Sequence, residues 1–336
     1  MQIQLADHAQ EFARAHQAAL LLLSEEMAGV RRGIEDVAQQ LPGPGGAAAR
    51  LMTDRPGKMV RPLLTGLVHR ALGGSGGEEC TQAAALVEII HLSTLLHDDV
   101  VDEAPLRRGA PSAAAAIGNA AAVLGGDALV VHAMTVAHRL GPQAVERALH
   151  ALQQLVLGEL IQLRNRGNVE VAAAEALHVC ALKTGALMRL CAELGAITAG
   201  GPAAQVRELG EAFERLGVAF QITDDMLDLS GDARSLGKSV GADVKQGTIS
   251  HPLALALERS PLHRSALRCA FRQGASEERL GRIVAHVVAR TGALAEAQLG
   301  ATRETTATTR VIEGLPPSRA RTVLLAVCQG LTRRTH

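Results

Sequence analysis

The stretch His91-Leu-Ser-Thr-Leu-Leu-His-Asp-Asp-Val-Val-Asp102 decides the fold, because it is an apolar run with helical spacing that ends in three carboxylates. On a helix, Asp98 and Asp102 are four residues apart and share a face, while Asp99 is rotated by about 100° to its flank. Three neighbouring acids repel one another and require a compensating cation. Hard oxygen ligands of this kind favour Mg²⁺, which proteins usually share between carboxylates and substrate phosphates.

A second aspartate cluster ends another apolar helical run, in the stretch Gln221-Ile-Thr-Asp224-Asp225-Met-Leu-Asp228. One such cluster alone is more often a solvated helix end than a functional site. Two clusters, each preceded by apolar residues and followed by basic ones, argue against that explanation. We therefore interpret them as facing walls of one cavity.

Two arginines, Arg107 and Arg108, closely follow the first cluster. Guanidinium groups bind phosphate oxygens directly, and they do so in a geometry that an ammonium group does not reproduce. Acids that require a metal, followed by cations that suit phosphate, predict a site for a polyanionic substrate.

The composition favours helices and excludes a charge-driven partner. The 336 residues include 34 Lys and Arg against 34 Asp and Glu, so the formal net charge is zero and no global field attracts nucleic acid. Apolar content is high, yet the chain has no Trp, no Tyr and only four Phe. A core that is rich in Ala, Leu and Val is typical of helices rather than sheet.

Cysteine usage and the first residues predict a cytoplasmic protein. The five cysteines are odd in number and lack a Cys-x-x-Cys spacing, which fits buried free thiols in a reducing compartment. Asp7, Glu11 and Arg14 occupy the first turns in place of an apolar signal core, and no run approaches 18 uninterrupted apolar residues. We therefore expect that the protein is not an integral membrane protein.

Helical segments and breaks alternate along the whole chain. The apolar spacing over residues 6 to 40 predicts a helix that Pro42-Gly-Pro-Gly-Gly46 ends. Later Gly- and Pro-rich breaks separate segments of some 12 to 28 residues, none with the period-two alternation of a strand. The pattern predicts an all-α fold, a single-domain bundle over residues 1–336 of about ten to twelve mostly antiparallel helices.

Further motifs carry a family resemblance. Beside the two aspartate clusters they are Gly57-Lys58-Met-Val-Arg61-Pro62, Gly158-Glu-Leu-Ile-Gln162, Lys183-Thr184 and Leu236-Gly-Lys238-Ser-Val-Gly-Ala-Asp243. In order and spacing the chain resembles the trans-isoprenyl diphosphate synthases of the polyprenyl synthetase family. The resemblance implies an isoprenoid-synthase bundle around a deep central cavity, Mg²⁺ as cofactor and a homodimer. The implied substrates are isopentenyl diphosphate and an allylic diphosphate (dimethylallyl, geranyl, farnesyl or geranylgeranyl).

The resemblance also assigns roles to residues. Those matching the isopentenyl diphosphate site are Lys58, Arg61, His91 and Arg108, and those matching the site of the allylic diphosphate or its metals are Arg107, Lys183, Thr184, Gln221 and Lys238. The implied catalytic residues are Asp98, Asp99, Asp102, Arg107, Lys183, Asp224, Asp225 and Lys238. The implied metal ligands are Asp98, Asp102, Asp224 and Asp228.

Two departures from the family pattern concern the cationic residues. Family members usually carry Gly-Gly-Lys-Arg-x-Arg-Pro, so Pro56 and Met59 differ, and we expect weakened rather than lost binding. Downstream, the pattern Asp-x-x-x-Gly-Lys-x-Thr-x-Pro has Thr248 at its second lysine. Lys245 lies three residues earlier, and we consider it as a substitute.

Product length is predicted from the residues one helical turn before Asp98. The matching positions in short-chain members often carry a bulky aromatic, whereas Ser93 and Thr94 are small. The segment from Ala113 to Leu140, interpreted as a cavity wall, contains no Phe. We therefore predict a product longer than farnesyl, hexaprenyl or longer, with geranylgeranyl as the alternative.

Three other functions are weighed against this one. A class I terpene cyclase shares the ionisation chemistry but needs no isopentenyl site. A non-catalytic subunit of a heteromeric synthase is favoured only by the two departures. A di-iron bundle protein is suggested by two Glu-x-x-His motifs, Glu88 to His91 and Glu175 to His178, although it leaves the aspartates without a role.

Overall fold

The computed structural model describes residues 2–54, 57–107, 109–230 and 242–333. These residues are almost entirely helical, as the sequence predicts. The helices are α1 Gln2–Leu22, α2 Ser24–Gln40, α3 Gly43–Thr53, α4 Val60–Ala71, α5 Glu78–Val101, α6 Ala113–Ile117, α7 Asn119–Leu140, α8 Pro142–Arg164, α9 Ala173–Cys180, α10 Ala186–Thr198, α11 Ala203–Ser230, α12 Ala242–Lys245, α13 His251–Glu258, α14 Pro261–Arg272, α15 Glu277–Thr291, α16 Ala293–Glu313 and α17 Arg319–Thr332. Residues Ala181–Gly185 form a π-helical turn that joins α9 to α10, and β1 Leu106–Arg107 pairs antiparallel with β2 Ala110–Pro111.

The helical segments outnumber the ten to twelve predicted, because several are short and one predicted helix is divided. α6 and α12 contain only five and four residues. Leu23 leaves helical geometry and separates α1 from α2 within the predicted segment 6 to 40. The break expected over residues 42–46 is also shorter than predicted. α3 begins at Gly43 and accepts Pro44 in its first turn, where the missing N–H would have no intrahelical partner.

Helix α5 lies at the centre of the main core. It packs against α2, α4, α7 and α10, and Leu86, Ile90 and Leu96 on it are fully buried. Such enclosure follows from apolar residues on all sides of the helix, which no single-faced packing could bury. The aspartates at its C-terminal end are thereby held on a rigid element.

A second hydrophobic core is formed by buried residues between Val169 and Ala293. It joins α9, α13, α14 and α15 through buried residues that include Leu253, Leu257, Val284 and Val287. That part of the structure supports the loop that carries Thr248. The single domain over residues 1–336 stays a prediction.

One helix among the described residues, α7, is long and apolar enough to cross a membrane by length and composition. It packs against α3, α5 and α8, and 44% of its most apolar window is buried inside the protein. A core helix of a bundle meets the same criteria, so this helix is weak evidence for a membrane span. Cys80, Cys180, Cys191 and Cys328 are buried free thiols, while Cys269 is exposed.

Candidate active site

A cavity of about 300 Å³ opens beside the C-terminal end of α5. Its walls come from α4, α5, α8, the loop after α8, α9, the π-helical turn, α10, α11 and the segment from residue 246 to residue 251. The charged and polar residues that line it are Arg61, His91, Thr94, Asp98, Asp102, Gln162, Asn165, Lys183, Thr184, Gln221, Asp225, Gln246, Thr248, Ser250 and His251. The apolar part of the lining includes Leu95, Leu155, Val171, Val179 and Leu187. Residues from both aspartate clusters thus reach one cavity, as the sequence predicts.

The three acids of the first cluster divide as their helical positions predict. Asp98 and Asp102 line the cavity from one face of α5. Asp99 is fully buried away from the lining, where its Oδ1 accepts a hydrogen bond of 2.5 Å from Nε of Arg107. Asp99 therefore fixes Arg107 and the short hairpin behind the cluster, rather than facing a substrate.

Burial raises the pKa values of the cavity carboxylates Asp98 and Asp102, and neighbouring charges modify both shifts. Burial raises the pKa of the Asp98 carboxyl from 3.8 to about 6, and the Lys183 ammonium opposes part of that rise. Glu159 and Asp102 add to the rise through their negative charge. Burial is also the main cause that raises the pKa of Asp102. The cavity thus concentrates negative charge that a cation would stabilise.

Lys183 sits in the π-helical turn, a local widening of the helix that often occurs at functional sites. Its Nζ forms an ion pair with Glu159 and donates a hydrogen bond of 3.1 Å to Oε1 of Gln162. Gly158 permits this approach, since a Cβ there would lie 2.8 Å from Cγ of Lys183. Glu159 is a site residue to which the sequence pattern assigns no role, although it lies within the stretch Gly158-Glu-Leu-Ile-Gln162.

The second cluster is tied to Thr184 through a chain of hydrogen bonds. Thr184 Oγ1 donates to Oε1 of Gln221 at 2.7 Å, and Gln221 Nε2 donates to Oδ1 of Asp225 at 2.8 Å. Asp225 is buried and lines the cavity, whereas Asp224 is exposed and Asp228 is half-buried. The structure therefore brings Asp225 to the cavity wall, while Asp224 and Asp228 stay predicted metal ligands.

A second cavity of about 320 Å³ adjoins the first. Its lining comprises Gly57, Lys58, Met59, Val60, Arg61, Glu88, His91, Met188, Phe220 and Leu331. Arg61 and His91 line both cavities. Lys58, Arg61 and His91, which the family resemblance assigns to one substrate, are brought together beside the aspartate-lined cavity.

The loop before α4 is held by two residues of the N-terminal helix α1. Lys58 Nζ lies 5.5 Å from the centroid of the Phe12 ring, and His16 Nε2 donates to the Lys58 carbonyl oxygen at 2.6 Å. Met59 is buried and adopts a left-handed backbone with φ of 52°, an uncommon conformation for a residue with a side chain. These contacts from α1 could not be predicted from the sequence, because they join residues over 40 positions apart.

Arg61 is a cation in a nearly closed environment. Burial lowers the pKa of its guanidinium below the usual value for arginine, and the Glu88 carboxylate opposes that shift. An arginine stays protonated despite such a shift. Its Nε is buried without a hydrogen-bond partner among the described residues, which is costly unless an anion binds nearby.

Several predicted residues fall elsewhere. Arg108 and Lys238 lie outside the described residues. Lys245 does not face the cavity as the missing lysine would, because its exposed Nζ pairs with Glu277 at 2.9 Å. Thr94 lines the cavity, but Ser93 is 1% exposed and donates to the Ile90 carbonyl, so it lies outside the lining.

The expected wall between Ala113 and Leu140 is wrong for these two cavities. None of its residues contributes to either lining. α7 packs on other faces of α5, so Leu155 of α8 and Leu187 of α10 supply the apolar wall.

The di-iron alternative loses its second motif. Glu175 forms an ion pair with Arg164, and His178 is exposed.

The carboxylates that line the cavity suit a magnesium ion whose other ligands come from a substrate and from water. Within the residues that the structure describes, no group of three His, Cys, Asp or Glu side chains converges into a metal site by itself. Carboxylates face the cavity from Asp98 and Asp102 on one wall and Asp225 on another. Mg²⁺ commonly takes one or two carboxylates and completes its shell with waters and phosphate oxygens. This donor set therefore fits Mg²⁺.

A helical bundle with two aspartate clusters and an adjoining basic cavity defines the class of all-α prenyltransferases that use diphosphate substrates. The family model described as Polyprenyl synthetase matches residues 46–287, more than half of the chain. The chain belongs to the polyprenyl synthetase family.

Known relatives agree with this assignment. The chain is 36% identical over 273 residues to the octaprenyl diphosphate synthase of Haemophilus influenzae, covering 81% of this chain and 82% of that relative. A decaprenyl diphosphate synthase structure from Rhodobacter capsulatus superposes with a TM-score of 0.87 at 29% identity, covering 94% of this chain and 98% of that one. A polyprenyl synthase structure from Caulobacter crescentus CB15, complexed with calcium and isoprenyl diphosphate, has a TM-score of 0.87 at 31% identity, covering 95% and 98%. These relatives confirm the prediction of a long-chain polyprenyl diphosphate synthase and favour it over the geranylgeranyl alternative.

Proposed function

We propose that this protein condenses isopentenyl diphosphate head-to-tail with an allylic diphosphate and forms a trans-polyprenyl diphosphate of hexaprenyl length or longer. The observation that carries the proposal is the pair of adjoining cavities that share Arg61 and His91. One cavity has acids and a lysine, which suit a metal-bound diphosphate, and the other has Lys58 and Arg61, which suit a second diphosphate. Small Thr94 and relatives named for octaprenyl and decaprenyl products support the long chain.

In the first cavity the allylic diphosphate would be bound by Lys183 and by Mg²⁺ that Asp98 and Asp102 hold, with Asp224 and Asp228 as further ligands. Bound Mg²⁺ would neutralise the negative charge that develops on the departing pyrophosphate. Lys183 adds a hydrogen-bond donor that Glu159 and Gln162 hold in place before the substrate arrives. Preorganised donors of this kind lower the barrier to heterolysis of the carbon–oxygen bond.

In the second cavity Lys58, Arg61 and His91 would hold the diphosphate of isopentenyl diphosphate beside the reacting carbons. The isopentenyl double bond supplies the electron pair that forms the new carbon–carbon bond to the allylic C1. Loss of a proton from the adjacent carbon to the released pyrophosphate then restores a double bond. The enzyme therefore needs no side-chain general base.

Apolar side chains complete the site by excluding water from the allylic cation. Leu95, Leu155 and Leu187 belong to the apolar part of the lining of the aspartate cavity. A growing hydrocarbon chain would contact this surface. Water would otherwise capture the cation as an alcohol, so a dry wall protects the reaction.

We also propose a homodimer that assembles through α7 and α8. These neighbouring helices expose apolar side chains at Val123, Leu124, Val131, Leu149, Val156, Leu157, Leu160 and Leu163. Eight exposed apolar side chains on two neighbouring helices are typical of an interaction site. The formal net charge is zero, so identical copies do not repel one another through their net charge.

We propose a cytoplasmic location as well. Buried free thiols support it, because thiols stay reduced in that compartment.

Labelled isopentenyl diphosphate, Mg²⁺ and each allylic primer in turn provide the direct test. We expect label in dephosphorylated alcohols of six or more isoprene units. A ladder that stops at four units would replace the long product with geranylgeranyl. No incorporation from any primer would contradict the proposed function.

A further inference from the structure

An arginine outside the predicted site reaches the first aspartate cluster from the loop between α8 and α9. Arg166 Nη2 donates a hydrogen bond of 2.9 Å to Oδ1 of Asp102, and Nη1 lies 3.5 Å from the carbonyl oxygen of Val101. The guanidinium thus sits at the C-terminal end of α5, where the helix leaves carbonyl groups without intrahelical donors. Its side chain is 36% exposed, so it is held at the cavity rim rather than buried.

Two glycines bring this loop against the segment that carries Thr248. Gly167 N donates to the carbonyl oxygen of Gly247 at 2.8 Å. Gly247 has a φ of +83°, and a Cβ there would lie 2.7 Å from Gly167 N and 2.9 Å from Cγ of Arg166. Only glycine permits both the backbone conformation and the close approach. The stem of Arg166 is therefore fixed directly beside residues 247 and 248.

The residues around Arg166 belong to the aspartate-lined cavity. Asn165, Asp102 and Thr248 line it, and they come from three different elements. Thr248 carries no charge, and the nearby Lys245 is paired with Glu277 on the protein surface. Of Arg166, Thr248 and Lys245, Arg166 is therefore the residue that can place a positive charge beside an anion at this side of the cavity.

We propose that Arg166 is a further diphosphate-binding residue, which supplies to the allylic diphosphate the positive charge that Thr248 does not provide. The inference rests on the proposed function, because it assumes a diphosphate at Asp98 and Asp102. A guanidinium is a planar fork with five N–H donors, so one edge can hold Asp102 while another donates to a phosphate oxygen. The bond to Asp102 orients the fork before the substrate binds.

Binding of inorganic pyrophosphate in the presence of Mg²⁺ tests this without turnover. Isothermal titration calorimetry of the full chain should show a dissociation constant for pyrophosphate that is raised on the order of tenfold or more in Arg166→Gln, the effect expected for the loss of one charge-assisted hydrogen bond. The control is Arg164→Gln, at the last residue of α8, two positions before Arg166. Its side chain is 66% exposed, and its partner Glu175 does not line the cavity. We expect its affinity to remain within about twofold of the wild type, as for other surface contacts.

A double-mutant cycle separates binding from a purely structural role. Thr248→Lys should restore pyrophosphate binding by about fivefold or more in the Arg166→Gln background, yet change the wild type by less than about twofold, because the two sites are coupled. Equal effects of Thr248→Lys in both backgrounds would overturn the proposal. Thermal unfolding of each variant identifies any loss of folded protein, and Arg166→Lys, which keeps the charge, should bind with intermediate affinity.

The outcomes distinguish the two proposals. Unchanged pyrophosphate affinity in Arg166→Gln, in an enzyme that still condenses its substrates, overturns the role of Arg166 alone. Tighter binding in that variant also overturns it, because Arg166 would then compete with the metal for Asp102. A wild-type chain that neither binds pyrophosphate with Mg²⁺ nor condenses substrates would contradict the proposed function itself.

Discussion

Thr184 Oγ1 donates a hydrogen bond of 2.7 Å to Oε1 of Gln221, and this bond joins the π-helical turn to α11. Because the same amide donates through Nε2 to Asp225, the second aspartate cluster takes its orientation from the turn that carries Lys183. The parts of the cavity that carry Lys183 and Asp225 are therefore connected through hydrogen bonds.

Removal of a cavity carboxylate should nearly abolish turnover. Asp98→Ala and Asp225→Ala each delete an acid that lines the cavity, and we expect kcat to fall on the order of 10³-fold, about 4 kcal/mol of transition-state stabilisation. Steady-state incorporation of labelled isopentenyl diphosphate measures the loss. Asp36→Ala, at an exposed position of α2, should keep normal turnover. Near-normal activity in either cavity variant would contradict the assignment of the site.

Asp98 should also make the metal-free protein less stable as the pH rises. Burial raises its pKa from 3.8 to about 6 in the folded state, so the folded protein binds the proton more tightly than the unfolded chain. Stability from this group is complete below pH 3.8 and is lost as the pH rises through about 6.

The Asp98→Asn variant tests that pH dependence in the presence of a chelator. Above pH 6 the free energy of unfolding of the variant should exceed that of the wild type by about 1–3 kcal/mol. This difference should shrink toward about pH 4. Urea unfolding at several pH values measures the difference. A pH-independent difference, or one that grows on acidification, would contradict the raised pKa.

Arg61 should act mainly on binding of isopentenyl diphosphate. The Arg61→Ala variant removes a half-buried cation from the boundary of the two cavities, and we expect KM for isopentenyl diphosphate to rise on the order of 10- to 100-fold. Steady-state kinetics with each substrate varied in turn measure this effect. Arg207→Ala, exposed on α11, is the matched control. An unchanged KM for isopentenyl diphosphate would place its diphosphate elsewhere.

Product length should respond to Thr94 and not to Ser93. Thr94 lines the aspartate cavity, so Thr94→Phe should block the hydrocarbon path and shorten the product. Ser93 is fully buried outside the lining, so Ser93→Phe should overpack the core and cost about 1–3 kcal/mol of stability. Chromatographic sizing of the alcohols and thermal unfolding separate the two effects. A product distribution that Thr94→Phe leaves unchanged would show that the chain takes another route.

The exposed apolar surface of α7 and α8 should hold the homodimer together. Leu157→Asp places a charge in that surface, and we expect the dimer to dissociate at micromolar concentration because the charge cannot be desolvated there. Light scattering after size-exclusion chromatography measures the mass. Leu262→Asp, on an equally apolar but isolated position of α14 that is 77% exposed, should leave the mass unchanged. A wild-type monomer would contradict the prediction.

Local sequence patterns predict the helices, the two aspartate clusters and the division within the first cluster. That division follows from local geometry, because positions 98 and 102 are one helical turn apart whatever surrounds them. Lys58, Arg61 and His91 could be assigned to one site only through the family resemblance. Their shared cavity depends on the packing of α4 against α5.

Tertiary structure alone decided the contacts between residues that are distant in sequence. No spacing rule indicates that Asp99 is bound by Arg107, that Glu159 holds Lys183 or that Arg166 reaches Asp102. The misplaced wall between residues 113 and 140 and the outward-facing Lys245 have the same cause. A local pattern fixes which side of a helix a residue occupies, whereas the element that side meets depends on how the whole bundle buries its apolar surface.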